Sequence, residues 1–186
     1  MTTDIAAQQV ICLSMRDRGP RLPRSANAPR DSSALMVNAP PPIVLSDGWT
    51  LEIDGGAPMP VAVDLGWEAQ GYPAFAGTGV YRLRVDLPPL PEGLVWRLVL
   101  PGVRETAELR LDGLFGGRHI AGDAWFTLPT QGVEVAIELH VRNTAANRYY
   151  QGTPYWDGIP KPSGLTAAPR LVSVAKEAHF GGGSPA

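Results

Sequence analysis

Aromatic and amide side chains concentrate in two stretches rich in glycine and proline. The first aromatic loop, residues 66–79, contains Trp67, Tyr72 and Phe75. The second aromatic loop, residues 143–162, is about twenty residues long, which is unusual for a passive connection. Its side chains that can stack on a ring or bond a hydroxyl group are Asn143, Asn147, Arg148, Tyr149, Tyr150, Gln151, Tyr155, Trp156 and Asp157. Such pairing of apolar faces with polar groups is what a saccharide site needs, so both loops are candidate ligand-binding loops.

A structural interpretation of the same residues stays open. The rings would then cover one end of the domain, and Asn147 and Arg148 would anchor the second aromatic loop. Trp49 and Trp96 fall in predicted strands, where we expect core packing and no ligand contact.

Glycoside hydrolysis requires two carboxyl groups at a fixed separation across the scissile bond. Four acidic residues fall in loop-like contexts, namely Asp64, Glu68, Asp123 and Asp157. Because Asp and Glu are mostly exposed surface residues in any protein, ordinary placement explains all four. We therefore predict no catalytic residues in this chain.

The residues that bind metals give little signal. The spacings of His119, His140 and His179 fit no zinc motif, and the single cysteine, Cys12, can form no intrachain disulfide. Asp54-Gly55-Gly56 could contribute to a structural calcium site, although a turn aspartate explains it as well. We expect no cofactor, with calcium as the open alternative.

Hydrophobic periodicity indicates the elements that carry these loops. Apolar residues alternate with polar ones in residues 81–87, 96–100, 107–111 and 133–142, as in strands with one buried face. Weaker strands are predicted at residues 50–53, 61–65, 115–120, 124–128 and 170–175. Turn residues separate these eight or nine strands, and no helix is predicted. The pattern predicts an all-β, antiparallel β-sandwich of the jelly-roll type.

The two ends of the chain differ from its centre. Residues 1–42 include a segment rich in arginine and proline, and we interpret them as a flexible arm or linker, with residues 43–176 as the sandwich and 177–186 as a flexible tail. The 16 basic and 18 acidic residues nearly balance, so we expect neither nucleic acid nor membrane as a partner. No signal peptide is visible, which leaves the compartment open with the cytoplasm as the default expectation.

Five segments, taken in order, carry a family resemblance. They are residues 77–81 (GTGVY), residues 98–103 (LVLPGV) leading to residues 107–113 (AELRLDG), Trp125-Phe126, residues 139–148 (LHVRNTAANR), and Pro162-Ser-Gly-Leu165 before the last strand. In this order they resemble the galactose-binding-like jelly-roll domains of glycoside hydrolases. The resemblance is to the sugar-binding domain of family 2 enzymes and the carboxy-terminal domain of α-L-rhamnosidase-like enzymes. Asp112 stands where that pattern usually has Asn, and Ala168 stands where it has Gly.

The resemblance implies an accessory role. In those enzymes the paired carboxylates belong to a separate catalytic domain, which has no counterpart in these 186 residues. Our first hypothesis is a non-catalytic carbohydrate-binding or accessory domain, whose partner is a saccharide or a catalytic glycosidase domain. The alternatives are a structural module that completes a separate catalytic glycosidase subunit, and a small stand-alone glycoside hydrolase or lyase. A sandwich fold hosts many functions and does not choose between them.

Overall fold

A computed structural model describes residues 39–103, 106–120, 124–129 and 131–176. Most of the predicted arm and all of the predicted tail lie outside these residues, so both assignments stay predictions.

The described residues form ten strands in two antiparallel sheets, which confirms the predicted β-sandwich. The strands are β1 (Ile43–Val44), β2 (Thr50–Ile53), β3 (Met59–Pro60), β4 (Thr78–Leu87), β5 (Leu94–Leu100), β6 (Thr106–Leu111), β7 (Leu114–Ile120), β8 (Ala124–Leu128), β9 (Val133–Arg142) and β10 (Arg170–Ala175). The four-stranded sheet has the order β1-β10-β5-β8, and the six-stranded sheet has the order β3-β2-β4-β9-β6-β7.

Alternation along the strands builds the core between the sheets. Strand β5 buries Leu94, Trp96, Leu98 and Leu100 and turns its intervening residues outward. Strands β4 and β9 pair from Thr78↔Arg142 to Leu87↔Val133 and bury the side chains of Tyr81, Ile137 and Leu139. Each long strand therefore contributes one apolar face to the core. Trp49 and Trp96 are buried there, as predicted.

The outer face of the six-stranded sheet is charged. Arg82 lies between Glu52 and Glu138, with an N···O distance of 2.8 Å to each. The pKa of Glu138 is lowered, because hydrogen bonds from His140 and Arg82 outweigh the opposing effect of burial. The charged residues of the alternating pattern therefore lie on the outer face of the sheet, where they form ion pairs.

The structure differs from the sequence pattern at residues 61–65. The predicted strand there is wrong, because the edge strand is Met59–Pro60 and residues 61–65 are irregular. The side chain of Gln70 binds this irregular segment: it accepts a hydrogen bond from the Ala62 N–H and donates to the carbonyls of Ala62 and Leu65. These bonds replace those that a strand partner would supply.

Two short helical turns were also not predicted. One is a 3₁₀ turn at Trp67–Gln70, and the other is helix α1 (Ala146–Tyr149). Each spans one turn, which is too short to leave a helical period in the sequence. Both lie in the aromatic loops and orient several of the candidate site residues.

Candidate functional site

The two aromatic loops lie side by side at one end of the sandwich. Thr78 at the start of β4 pairs with Arg142 at the end of β9, so the preceding and following loops emerge together. The Asn143 side chain joins them: its Oδ1 accepts from the Gly77 N–H at 2.9 Å, and its Nδ2 donates to the Phe75 carbonyl at 2.8 Å. Asn143 is therefore a structural link between the loops.

A second set of bonds holds the far end of the second aromatic loop. Glu68 accepts hydrogen bonds from the backbone N–H and the hydroxyl of Ser163. Asn147 is buried and bonded in both directions to the backbone of Lys161, donating at 2.7 Å and accepting at 2.6 Å. These contacts satisfy the polar atoms of Asn147 within the protein, which matches the anchoring interpretation of that residue.

Trp67 is enclosed beneath the loops. Its side chain is fully buried, and its indole N–H donates to the Tyr81 hydroxyl oxygen at 2.7 Å. The Leu165 N–H donates to the same oxygen at 3.0 Å. Phe75 meets the indole edge-on at 5.2 Å between ring centroids, and Tyr72 is also packed against the core. Trp67 therefore offers no ring face to a sugar, contrary to its predicted stacking role.

Burial also perturbs the phenol that supports Trp67. Removal from water raises the pKa of Tyr81 to about 12, against the lowering effect of the hydrogen bonds from Leu165 and Trp67. Tyr81 is therefore a neutral phenol at neutral pH.

Gly164 fits closely against the same pair of rings. Its φ is +76°, and a Cβ at this position would collide with the Trp67 indole and the Tyr81 hydroxyl. Glycine is therefore required here for both conformation and space.

Three exposed tyrosines belong to the second aromatic loop. Tyr149, Tyr150 and Tyr155 are 67%, 47% and 82% exposed. The rings of Tyr150 and Tyr155 lie 6.4 Å apart between centroids at 49°. The Arg148 guanidinium lies 5.8 Å from the Tyr149 ring centroid, and Trp156 is half-buried nearby in sequence.

Asp157 belongs to the same loop and is exposed. Its carboxylate pairs with Lys161 at 2.5 Å and accepts the Ile159 N–H. The hydrogen bonds from Lys161 and Ile159 lower the pKa of Asp157, so it is ionised at neutral pH. It is consequently an acceptor for donors such as sugar hydroxyls.

The four acidic residues weighed for catalysis do not form a described pair. Glu68 is bonded to Ser163 and Asp157 to Lys161, Asp64 is exposed, and Asp123 lies outside the described residues. Within the described part of the chain, no three His, Cys, Asp or Glu side chains group as metal ligands would.

The Asp54 turn has the geometry expected of a tight turn. Asp54 and Gly55 have φ of 56° and 71°, and the Gly56 N–H donates to the Ile53 carbonyl. The calcium alternative at this turn stays a prediction. None of the helices in the described ranges is long and apolar enough to cross a membrane.

A groove of about 640 Å³ lies beside residues 60–64, and one of its lining residues, Ala62, is bonded by the Gln70 side chain of the first aromatic loop. Trp49, Val61 and Val63 form its apolar wall, and Asp47 and Asp64 lie on its lining. No sequence pattern predicted this groove, because it is formed by folding residues 46–50 and 60–64 together with the distant Ala168.

Solved structures share this fold. An FMN-binding β-glucuronidase from Facaelibacterium prausnitzii L2-6 matches 73% of this chain with a TM-score of 0.57 and 21% identity. A rhamnosidase from Novosphingobium sp. PP1Y matches 70% of this chain with a TM-score of 0.58 and 19% identity. A β-D-glucuronidase of Dictyoglomus thermophilum matches 73% of this chain with a TM-score of 0.57 and 15% identity. The matched regions make up 22%, 15% and 28% of those chains. No protein-family model and no curated protein sequence matches the chain.

These likenesses define a class by architecture. The chain is a β-sandwich whose fold recurs as a part of larger glycoside hydrolases. At these identities the likeness concerns the fold, and the function must be argued from the loops.

Proposed function

We propose that this protein is a non-catalytic carbohydrate-binding or accessory domain of the galactose-binding-like type, related to those of glycoside hydrolases. The carrying observation is the second aromatic loop, where Tyr149, Tyr150 and Tyr155 are exposed beside Arg148. Contact of large aromatic side chains with water is unfavourable unless a partner covers them. A cluster of exposed aromatic side chains therefore favours a ligand-binding role.

The chemistry of this loop suits a saccharide. The Tyr150 and Tyr155 rings supply apolar faces for the C–H faces of a pyranose, while Arg148 donates hydrogen bonds and Asp157 accepts them. Half-buried Trp156 adds a further aromatic edge. Buried Trp67 and Asn147 and half-buried Asn143 would act indirectly, by holding the loop in place.

A glycan array probed with the full chain tests this role. Hits are then measured by titration calorimetry with rhamnosyl, galactosyl and glucuronyl ligands. Loss of one stacking ring costs about 1.4 kcal/mol, so Tyr150→Ala and Tyr155→Ala should each weaken binding about tenfold. The matched control is Phe115→Ala, which removes an aromatic side chain that is 66% exposed on β7 and should leave the affinity unchanged.

The proposal fails if the folded protein binds none of these ligands. It also fails if Phe115→Ala weakens binding as much as the tyrosine variants do. Either result would show that the exposed tyrosine rings do not form a sugar-binding site.

A second candidate function is a module that completes a separate catalytic glycosidase subunit. It is favoured by the share of the matched glycosidase structures that this fold occupies, which is 15–28% for the three named. Co-purification with a catalytic glycosidase, without sugar binding by the chain itself, would support this candidate over the first.

A further inference from the structure

Arg148 is an exposed cation of the second aromatic loop, and its described contact is with an aromatic ring. The guanidinium lies 5.8 Å from the Tyr149 ring centroid, within the reach of a cation–π contact. It forms no ion pair with an acidic residue of the described ranges, whereas the neighbouring cation of the loop, Lys161, is paired with Asp157. Arg148 therefore carries a positive charge that no described carboxylate compensates.

The acidic side chains of the two aromatic loops are bonded elsewhere. Each loop contains one, Glu68 in the first and Asp157 in the second. Glu68 accepts hydrogen bonds from the backbone N–H and the hydroxyl of Ser163, and Asp157 is held by Lys161 and by the Ile159 N–H. A counterion for the remaining cation of the loops must therefore come from a ligand.

The backbone that presents Arg148 is anchored. Arg148 belongs to helix α1, and its own N–H donates to the Ala145 carbonyl at 3.1 Å. The preceding residue, Asn147, is buried and bonded in both directions to the backbone of Lys161. The exposed Tyr149 and Tyr150 follow directly in the chain. Because the cation and these rings are presented from one fixed turn, a ligand has less conformational entropy to offset when it binds them together.

The N–H donors of the Arg148 guanidinium are available to a ligand, since within the described part of the chain none of them donates to a protein acceptor. These donors lie in the plane of the group, where a planar carboxylate can accept two of them side by side. A sugar hydroxyl accepts fewer of these hydrogen bonds and compensates no charge. A carboxylate attached to a pyranose ring therefore matches both the cation and the neighbouring aromatic rings.

We propose that the second aromatic loop prefers sugars whose ring bears a carboxylate, which binds Arg148 while the ring packs on Tyr150 and Tyr155. Uronic acids and sialic acids are the two sugar classes that carry this group. The inference rests on the saccharide-binding role proposed above and narrows its ligand class. Equal affinity for charged and neutral sugars would refute the preference and leave the saccharide-binding role standing, whereas binding of no sugar would refute both.

Sugar acids and their neutral esters test the preference. The full chain is titrated by calorimetry with methyl glucuronide, methyl galacturonide and the methyl glycoside of N-acetylneuraminic acid, each compared with its own methyl ester. At least one acid should bind about fivefold tighter than its ester at low salt, the upper range for one exposed ion pair. The difference should shrink at about 1 M salt, where the screening length falls to about 3 Å. The acid with the largest difference identifies the source of the carboxylate.

Two variants then decide whether Arg148 is the cation responsible. Arg148→Gln should bring the ratio of acid to ester affinity to about one, because glutamine keeps hydrogen-bond donors and loses the charge. The matched control, Arg84→Gln, makes the same change in net charge at a side chain that is 74% exposed on the outer face of the six-stranded sheet, and should keep the ratio of the wild type. The proposal is overturned if every acid binds no tighter than its ester, if both variants lower the ratio equally, if Arg148→Gln leaves it unchanged, or if galactose 6-sulfate binds tighter than all three acids.

Discussion

The hydroxyl oxygen of Tyr81 is the acceptor around which the loop end of the sandwich is packed. It receives the Trp67 indole N–H and the Leu165 backbone N–H, and all three residues are fully buried. A buried donor without an acceptor costs about 1–3 kcal/mol, so this one oxygen stabilises two segments that are far apart in sequence.

Tyr81→Phe is therefore expected to lower the free energy of unfolding by about 2 kcal/mol, because it leaves two buried donors unpaired. Urea denaturation at pH 8 measures the change. Tyr155→Phe removes a hydroxyl from a ring that is 82% exposed, and should stay within about 0.5 kcal/mol of the wild type. Equal effects of the two variants would contradict the role of Tyr81.

The stability that Tyr81 contributes should also depend on alkaline pH. Its pKa is about 12 in the folded protein, against 10.0 for a tyrosine in water. A raised pKa gives stability that is complete below pH 10 and is lost as the pH rises toward 12. At pH 11 the wild type should have lost about 1 kcal/mol of unfolding free energy from this group, while Tyr81→Phe loses none of it. The difference in unfolding free energy between the wild type and Tyr81→Phe should therefore be smaller at pH 11 than at pH 8. An unchanged difference would contradict the raised pKa of Tyr81.

Gly164 makes a sharper test of the same packing. Gly164→Ala combines left-handed strain with a collision against Trp67 and Tyr81, and should cost about 3 kcal/mol. Gly152 has nearly the same φ, +75°, with no atom within 4 Å of the added Cβ, so Gly152→Ala should cost about 1 kcal/mol. Urea midpoints of the two variants give the comparison. If both variants lose the same free energy of unfolding, Gly164 is not closely packed against Trp67 and Tyr81.

At the scale of elements, the aromatic loops owe their mutual position to Asn143. Its amide bonds the Gly77 N–H and the Phe75 carbonyl, while its own backbone N–H donates to the Gly77 carbonyl. The side chain thus extends the β4–β9 pairing by one step into the loops.

Asn143→Ala should lower the unfolding free energy by about 1.5 kcal/mol and speed hydrogen exchange at the Gly77 amide, because that N–H loses its acceptor. Asn143→Asp keeps an acceptor for Gly77 and should retain most of its protection. Thr144→Ala alters the exposed neighbouring residue and is the control. Protection of Gly77 that is unchanged in Asn143→Ala would exclude the proposed link.

Strands could be predicted where apolar and polar residues alternate over a long stretch. In β9 the alternation extends over ten residues, and such a pattern is typical of a half-buried strand. The irregular conformation of residues 61–65 was not predictable, because the backbone groups of Ala62 and Leu65 bond the Gln70 side chain in place of a neighbouring strand. The aromatic residues of the loops differ in burial, and the sequence does not show which are buried. Trp67 and Tyr150 both lie among glycine and aromatic residues, so their sequence contexts are alike. Which of them is enclosed depends on Tyr81 and Gly164, which are distant in the chain.

At the scale of the whole molecule, a sandwich separates three surfaces. The charged outer face of the six-stranded sheet carries ion pairs, the outer face of the four-stranded sheet carries the exposed side chains of Val44 and Trp125, and the loop end carries exposed tyrosines. Each of these surfaces belongs to a different side of the same core.

The position of a bound saccharide tests the central claim most directly. Backbone amide and indole resonances of the full-length, ¹⁵N-labelled protein are followed during titration with galactose, glucuronic acid and L-rhamnose. We predict that at least one sugar shifts the amides of residues 148–157 saturably, while the Trp67 indole N–H stays unchanged. Saturable shifts confined to the groove beside Trp49, or no saturable shift with any of the three sugars in the folded protein, would contradict the account.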